Sequence, residues 1–408
     1  MGQRQAVTRQ VAVRYRSASK SAKATILDEL CATTGWHRDH ARKALRRALG
    51  PKPVARRRKP RPPVYGPEVI EALTLCWAVM AGPAGKRMAP FLPQIVDRLR
   101  AVGELDITDA TRDQLVGLSA ATIDRRLAGE RKKLQVKGRS GTKPGSLLKS
   151  QIPIRTWADW DNTAPGFVEI DLVGHEGGDS RGDFCQTLTV TDVATGWTET
   201  RAVKNKAQKW VFAALKAIRS ALPFPLQGID SDNGTEFIND QLLRYCTTEK
   251  ITFTRSRPGH KNDGAHVEQK NWSVVRHAVG YARYDTPAEL KILNELYALL
   301  RLERNFFAPQ QKLVSKTRDG AKVIKRYDTA RTPFQRISDR GDVEASIKDT
   351  LGALYATLNP AQLRRDIAAL QDRLIALSAA KGHPGRLPTP PSARAQSREA
   401  TTPRSRAS

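Results

Sequence analysis

Two short apolar runs in this 408-residue chain carry carboxylates where hydrophobic patterning would place none. The first, Phe167-Val168-Glu169-Ile170-Asp171-Leu172-Val173, has the β-branched and aromatic content of a buried strand. The second, Leu226-Gln227-Gly228-Ile229-Asp230-Ser231-Asp232, leads into Asn233-Gly234-Thr235-Glu236-Phe237, a turn before a helix. A third acid, Glu268, lies just inside a helical segment, 265–281, that follows the Gly- and Pro-containing loop 257–264. An unpaired charge in an apolar setting is expensive, so acids in such places have a cation to face.

Hard divalent cations take oxygen ligands, and two of them held roughly 4 Å apart can activate the attacking oxygen and stabilise the leaving oxygen of a phosphodiester. Asp171, Asp232 and Glu268 on neighbouring elements suit that arrangement, whereas any one of them alone reads as a turn or surface acid. Other polar residues compete for the same roles. Asp230 shares a strand face with Asp232 and is its main rival. Asp192 sits in a hairpin turn, where Asp bonds its own backbone, and reads as structural. Glu169 should point opposite to Val168 and Ile170, Asp263 belongs to the loop, and His175 and His266 read as polar neighbours.

Four local motifs carry a family resemblance: Val168-Glu169-Ile170-Asp171, Thr191-Asp192-Val193-Ala194-Thr195-Gly196-Trp197, Asp232-Asn233-Gly234-Thr235-Glu236-Phe237 and Val267-Glu268-Gln269-Lys270-Asn271-Trp272. Together they resemble the integrase catalytic core shared by retroviral integrases and many bacterial insertion-sequence transposases, the DDE enzymes. Between Asp232 and Glu268 lie 35 residues, the spacing that names the D,D-35-E signature. The resemblance implies that Asp171, Asp232 and Glu268 are the catalytic carboxylates and hold two Mg²⁺ (or Mn²⁺) ions, with Asp232 preferred to Asp230. It departs from the retroviral pattern at the N-terminus, which has no C-x-x-C motif to complete a zinc site with His37 and His40.

The coarse element order expected for this core is strand 167–173, strand 184–191, strand 197–203, helix 207–220, strand 226–231, helix 236–249, strand 251–255 and helix 265–281. Three antiparallel strands followed by alternating helices and strands give a mixed five-stranded sheet flanked by helices, the layout of an RNase H-like α/β core. The expected chain is multidomain. Residues 1–50 form a helix-turn-helix unit, 51–65 a basic Pro-rich linker, 66–136 a second helical, helix-turn-helix unit and 137–153 a flexible linker. The core spans 154–285, a helical and basic DNA-contacting region 286–380, and a disordered tail 381–408.

Lys and Arg number 69 against 41 Asp and Glu, a net charge of +28 that calls for a polyanionic partner. Helix, Gly-containing turn and basic helix over 22–49 place Arg38, Arg42 and Lys43 toward DNA. Arg56, Arg57 and Arg58 lie among prolines in a segment suited to a DNA backbone or minor groove. Arg125 and Arg126 end the second such unit, in which Ser119 is a plausible N-cap. Arg257 and Lys261 belong to the loop before Glu268, and Lys270 lies two residues beyond it, within reach of DNA. Val69, Ile70, Leu73, Cys76, Trp77 and Met80 form a core face, and Leu363, Ile367, Leu370, Leu374 and Leu377 a stripe that docks internally or on another subunit.

Neither a spanning apolar stretch nor a signal-like segment is present, so the expectation is a bacterial cytoplasmic, nucleoid-associated protein without a membrane partner. The expected function is that of a transposase or integrase. It binds double-stranded element ends, cleaves 3′ ends and joins them to target DNA, as a homo-oligomer in a synaptic complex. The alternatives are a DNA-binding regulator or catalytically decayed transposase, and a ribonuclease acting on hybrids.

Overall fold

The computed structural model describes residues 2–50, 64–133, 164–231, 237, 239–255, 265–320 and 322–381, in two units divided at Val64 and Tyr65. Asp232, Asp263, the basic residues Arg56, Arg57, Arg58, Arg257 and Lys261, nearly all of the first expected linker, the whole of the second and almost all of the expected tail lie outside the described residues.

The first unit is a set of helices, α1 (Gly2–Ser17), α2 (Lys20–Thr34) and α3 (Arg38–Leu49), around Ala12, Leu27, Leu30, Ala41 and Leu45. α1 precedes the helix, turn and basic helix that the sequence marks over 22–49. It is mostly polar and is seated by the buried Ala12, with the partly buried Val11 and Tyr15 packed against the same core. Ser19 caps α2 by accepting from the Ala22 N–H, and Gly35 ends it at φ +70°, a backbone conformation that glycine adopts without steric cost. The chain then turns sharply into α3, which is capped by His37 and leaves Arg42, Lys43, Arg46 and Arg47 exposed.

The second unit begins with α4 (Pro67–Val79), α5 (Gly85–Met88), α6 (Leu92–Ala101), α7 (Asp109–Val116), α8 (Ala120–Arg126) and α9 (Ala128–Lys133). Val69, Leu73, Cys76, Trp77 and Met80 are buried, as the helical spacing predicts, with Ile70 partly so. Ser119 does cap α8, accepting from the Thr122 N–H at 3.3 Å.

The strands are β1 (Phe167–Gly174), β2 (Gln186–Asp192), β3 (Thr198–Val203), β4 (Gly228–Ser231) and β5 (Thr252–Arg255), in the order β3-β2-β1-β4-β5. β1 runs antiparallel to β2 and parallel to β4, so β1 and β4 are neighbours although far apart in sequence. α10 (Gln208–Ala221) and α11 (Asp240–Thr248) share one core with the sheet, in which Val211, Leu215 and Ile218 meet Val168, Ile170 and Leu188. The other face receives α12 (Ala265–Lys270), which continues through a π-helical stretch, Asn271–Arg276, into α13 (His277–Val279), and also α14 (Pro287–Leu302). Parity along β1 sorts the residues: Val168 and Ile170 face α10, while Glu169, Asp171 and Val173 face α12 and its continuation. The mixed sheet with helices on both faces is the RNase H-like layout the sequence predicts.

A hairpin follows, β6 (Leu313–Asp319) and β7 (Lys322–Tyr327), and it gives β-structure to part of the region 286–380 expected to be helical and basic. The described residues end with α15 (Pro333–Ser338), α16 (Ala345–Thr357) and α17 (Pro360–Ala380). Of the two partners considered for the α17 stripe, the internal one is found: Ile367 and Leu374 pack with Leu293, Leu296 and Leu300 of α14. Buried residues of α4 to α8, together with Trp197, Phe306, Ile337, Leu351 and Leu358, form one continuous core. Arg98 reaches across it to the Leu358 carbonyl at 2.9 Å. Among the described residues no helix is long and apolar enough to cross a membrane.

Candidate active site

Asp171 lies near the end of β1, half-buried. Its Oδ1 accepts the Leu172 N–H at 2.8 Å and its Oδ2 accepts the Asn271 Nδ2 amide at 2.5 Å. Asn271 stands three residues after Glu268, which is exposed on α12. The two carboxylates, 97 positions apart in sequence, are thus brought to one region through a single amide. The other end of that amide, Asn271 Oδ1, is buried without a hydrogen-bond partner. Asp232 is not described; β4 ends at Ser231, whose Cα partner is Ile170, the residue before Asp171.

Glu169 was the acid given no role in the sequence. It is 1% exposed, and its Oε2 accepts the Val267 N–H at 3.1 Å, in the first turn of the helix that carries Glu268. A carboxylate there satisfies an otherwise unpaired N–H and favours the positive end of the helix. β1 therefore holds this helix at two alternate residues, Glu169 and Asp171. The alternation of the strand was enough to put Glu169 on the Asp171 face, whereas its partner, Val267, could come only from the tertiary structure. Asn271 was missed because an Asn inside a helix carries no signal of its own.

Asp230, the rival ligand, is buried as the Cα partner of Glu169 and accepts the Thr254 hydroxyl of β5 at 2.6 Å. Asp192 performs the turn role read from sequence, accepting the Gly166 N–H at 2.8 Å, the Thr195 N–H at 2.7 Å and the Thr195 hydroxyl at 2.6 Å. Burial raises its carboxyl pKa, and these bonds oppose the rise. His175 is fully buried with Nε2 2.7 Å from the Thr187 hydroxyl, and desolvation, aided by Arg276, drives its pKa down to about 3. It is a neutral polar neighbour.

Lys270 differs from expectation. Only 8% exposed, it donates to Gln310 Oε1 at 2.6 Å, and its pKa falls to about 7 through desolvation and then through Arg304, Arg87, Arg336 and Lys312. Two residues along a helix turn it by about 200°, so a lysine two beyond an exposed Glu268 faces inward. Of the other residues expected at DNA, Arg38 is half-buried and paired with Asp28, Arg42 is exposed and 3.3 Å from Asp39, and Lys43 is exposed. Arg125, which bonds Thr122 Oγ1 at 3.1 Å, and Arg126 are both exposed at the end of α8.

Comparison with known proteins adds the family. The integrase core domain pattern matches residues 161–261. A protein of Sinorhizobium fredii, the uncharacterized protein y4rM, is 42% identical over 327 residues, covering 79% of this chain and 91% of the relative. Among solved structures, the integrase catalytic core domain of HTLV-2, in complex with magnesium, is similar at 15% identity and a TM-score of 0.28, over 37% of this chain and 93% of that one. The simian T-cell lymphotropic virus intasome, in complex with PP2A regulatory subunit B56 gamma, is similar at 13% identity and 0.30, over 53% and 70%. From the sheet order, the matched pattern and the near full-length relative together, this chain belongs to the integrase core family and has an integrase- and transposase-like DDE core.

Proposed function

We propose that this protein is a transposase or integrase that binds the ends of a mobile DNA element, cleaves their 3′ ends and joins them to target DNA, with Asp171, Asp232 and Glu268 as its catalytic carboxylates. The observation that carries the reading is the tie from β1 to the Glu268 helix through Asn271 and Glu169, which sets two of the three acids in one region. The donor set fits a hard divalent cation: carboxylate oxygens, with the orphaned Asn271 Oδ1 beside Asp171. Among the described residues no group of three His, Cys, Asp or Glu side chains gathers to hold a metal, and Asp232 is not one of those residues. Asp171, Asp232 and Glu268 would hold Mg²⁺ or Mn²⁺, two ions per site, which when bound would polarise the scissile phosphate and lower the pKa of the attacking water. The chain's own part is to fix the carboxylates: Asn271 orients Asp171, and Glu169 anchors the helix of Glu268.

Double-stranded DNA is the proposed partner. The net charge of +28 supports it, as do the exposed Arg42, Lys43, Arg46 and Arg47 on α3 and Arg125 and Arg126 on α8. We read α2–α3 and α7–α8 as two helix-turn-helix units that contact element ends, in a bacterial cytoplasmic protein acting on the nucleoid. Joining two ends to one target calls for a homo-oligomeric synaptic complex. The deciding experiment is a strand-transfer assay with purified protein, Mg²⁺ or Mn²⁺ and duplexes carrying the ends that flank the gene. Joined products should vanish in Asp171→Asn, Asp232→Asn and Glu268→Gln while DNA binding persists. Metal-independent binding with no nicking or joining by the wild type would mean a regulator or decayed enzyme instead.

A further inference from the structure

Trp272 is 63% exposed, against 39% for Trp210 and 1% or less for Trp77 and Trp197. Burying an indole is among the larger apolar gains a side chain offers, and this one is left in water. Its position gives the exposure a meaning. Trp272 follows Asn271, whose amide is 2.5 Å from Asp171, and stands four residues after Glu268 on the same continuous helix. Helical residues four apart are neighbours, so Trp272 and the exposed Glu268 share one side of the helix. The indole ring meets the half-buried His277 ring at 6.3 Å, tilted by 56°. A broad aromatic face left in water one helical turn from Glu268 suits a nucleobase, and stacking of this kind tolerates any base because each has a π-face.

A base can reach such a platform only after leaving its own stack, which is easiest at a mismatch or a frayed end. Resting on the function proposed above, we propose that Trp272 binds an unstacked nucleobase next to the scissile phosphate and so holds the DNA end open at the carboxylates.

Two readouts on the full chain test this. In the first, 2-aminopurine is placed singly at positions flanking the cleavage site and binding is followed without divalent metal. One position should change its fluorescence in the wild type and in Trp272→Phe, and lose that response in Trp272→Ala at equal DNA occupancy. In the second, cleavage with Mg²⁺ is compared on fully paired ends and on ends mismatched at the site. Trp272→Ala should lose about 10- to 100-fold on paired ends and recover to within a few fold on mismatched ones. Equal loss on both substrates, no loss on either, or an unchanged fluorescence response would overturn the proposal. So would a change of oligomeric state in Trp272→Ala, which would assign the indole to a second copy of the chain. A wild type that never cleaves but shows the Trp272-dependent fluorescence would keep the platform and sink the transposase reading.

Discussion

Asn271 and Glu169 act on the proposed site without being acids of the triad, and their two bonds predict different losses. Removing a residue that orients a metal-binding carboxylate typically costs ten- to a hundredfold in activity or metal affinity. Asn271→Ala is therefore expected to lower metal-dependent cleavage by about that factor with a nearly unchanged melting temperature. Glu169→Ala removes a helix-capping carboxylate from a buried position, so its effect should appear first in stability, as a loss of roughly 1–2 kcal/mol in urea unfolding. His175 supplies a pH dependence. Its pKa is held near 3 in the fold against an ordinary value of 6.5. The unfolded chain takes up a proton that the folded one refuses, so the contribution is whole above pH 6.5 and drains away as the pH falls toward 3, by up to about 1.4 kcal/mol per unit. His175→Gln should flatten the decline in melting temperature between about pH 6 and 4, and a slope equal to wild type would dismiss the account. Single residues were legible where their type broke a pattern, as Asp171 did in a strand. Lys270 was legible as a cation and illegible as a buried one, because its burial depends on which side of the helix meets the sheet.

At the scale of elements, the strands and helices of the core follow from the sequence because β-branched runs and helical periodicity coincide with what the fold buries. The β6–β7 hairpin does not follow, since what defines it is exposure: Leu313, Val314, Val323, Ile324 and Tyr327 are all in solvent. An isolated two-stranded hairpin is marginally stable in water, and five Lys or Arg against one acid between Leu313 and Tyr327 favour a polyanion as its support. By its register, Lys316 lies opposite Lys325 and Arg318 opposite Val323, so three cations share a face. The Lys316→Glu, Lys325→Glu double variant is expected to weaken DNA binding and to reduce the slope of log K against log salt by about two, read from binding titrations across salt. α1 was hidden for the opposite reason: polar nearly all round, it offers no stripe for the eye to follow.

The whole of the second unit is held by contacts distant in sequence. Trp77, Leu92 and Leu99 share their core with Phe306, Ile337, Leu351 and Leu358, and Arg365 pairs with Glu104 at 2.6 Å. Arg365 and its hydrogen bond hold the Glu104 carboxyl down at about 2, with Asn359 adding to the effect, so the pair stabilises above the ordinary carboxylate range and is lost on acidification. This arrangement could not be read from sequence, where 66–136 and 286–380 look like separate regions, because an apolar helix face does not name its partner. A chain cut after Tyr327 should accordingly lose more than its last helices. The α4–α8 segment should turn protease-sensitive, measurable by limited proteolysis.

The same clasp has a consequence during synthesis. More than 200 residues separate the buried Leu127 from Leu351. At about 5–20 residues per second, the ribosome delivers the closing half of that core roughly 10–40 seconds after the first half has emerged. For that interval the nascent helices carry uncovered Trp, Phe and Leu side chains, and the cell's chaperones, rather than the protein's own fold, have to keep them apart.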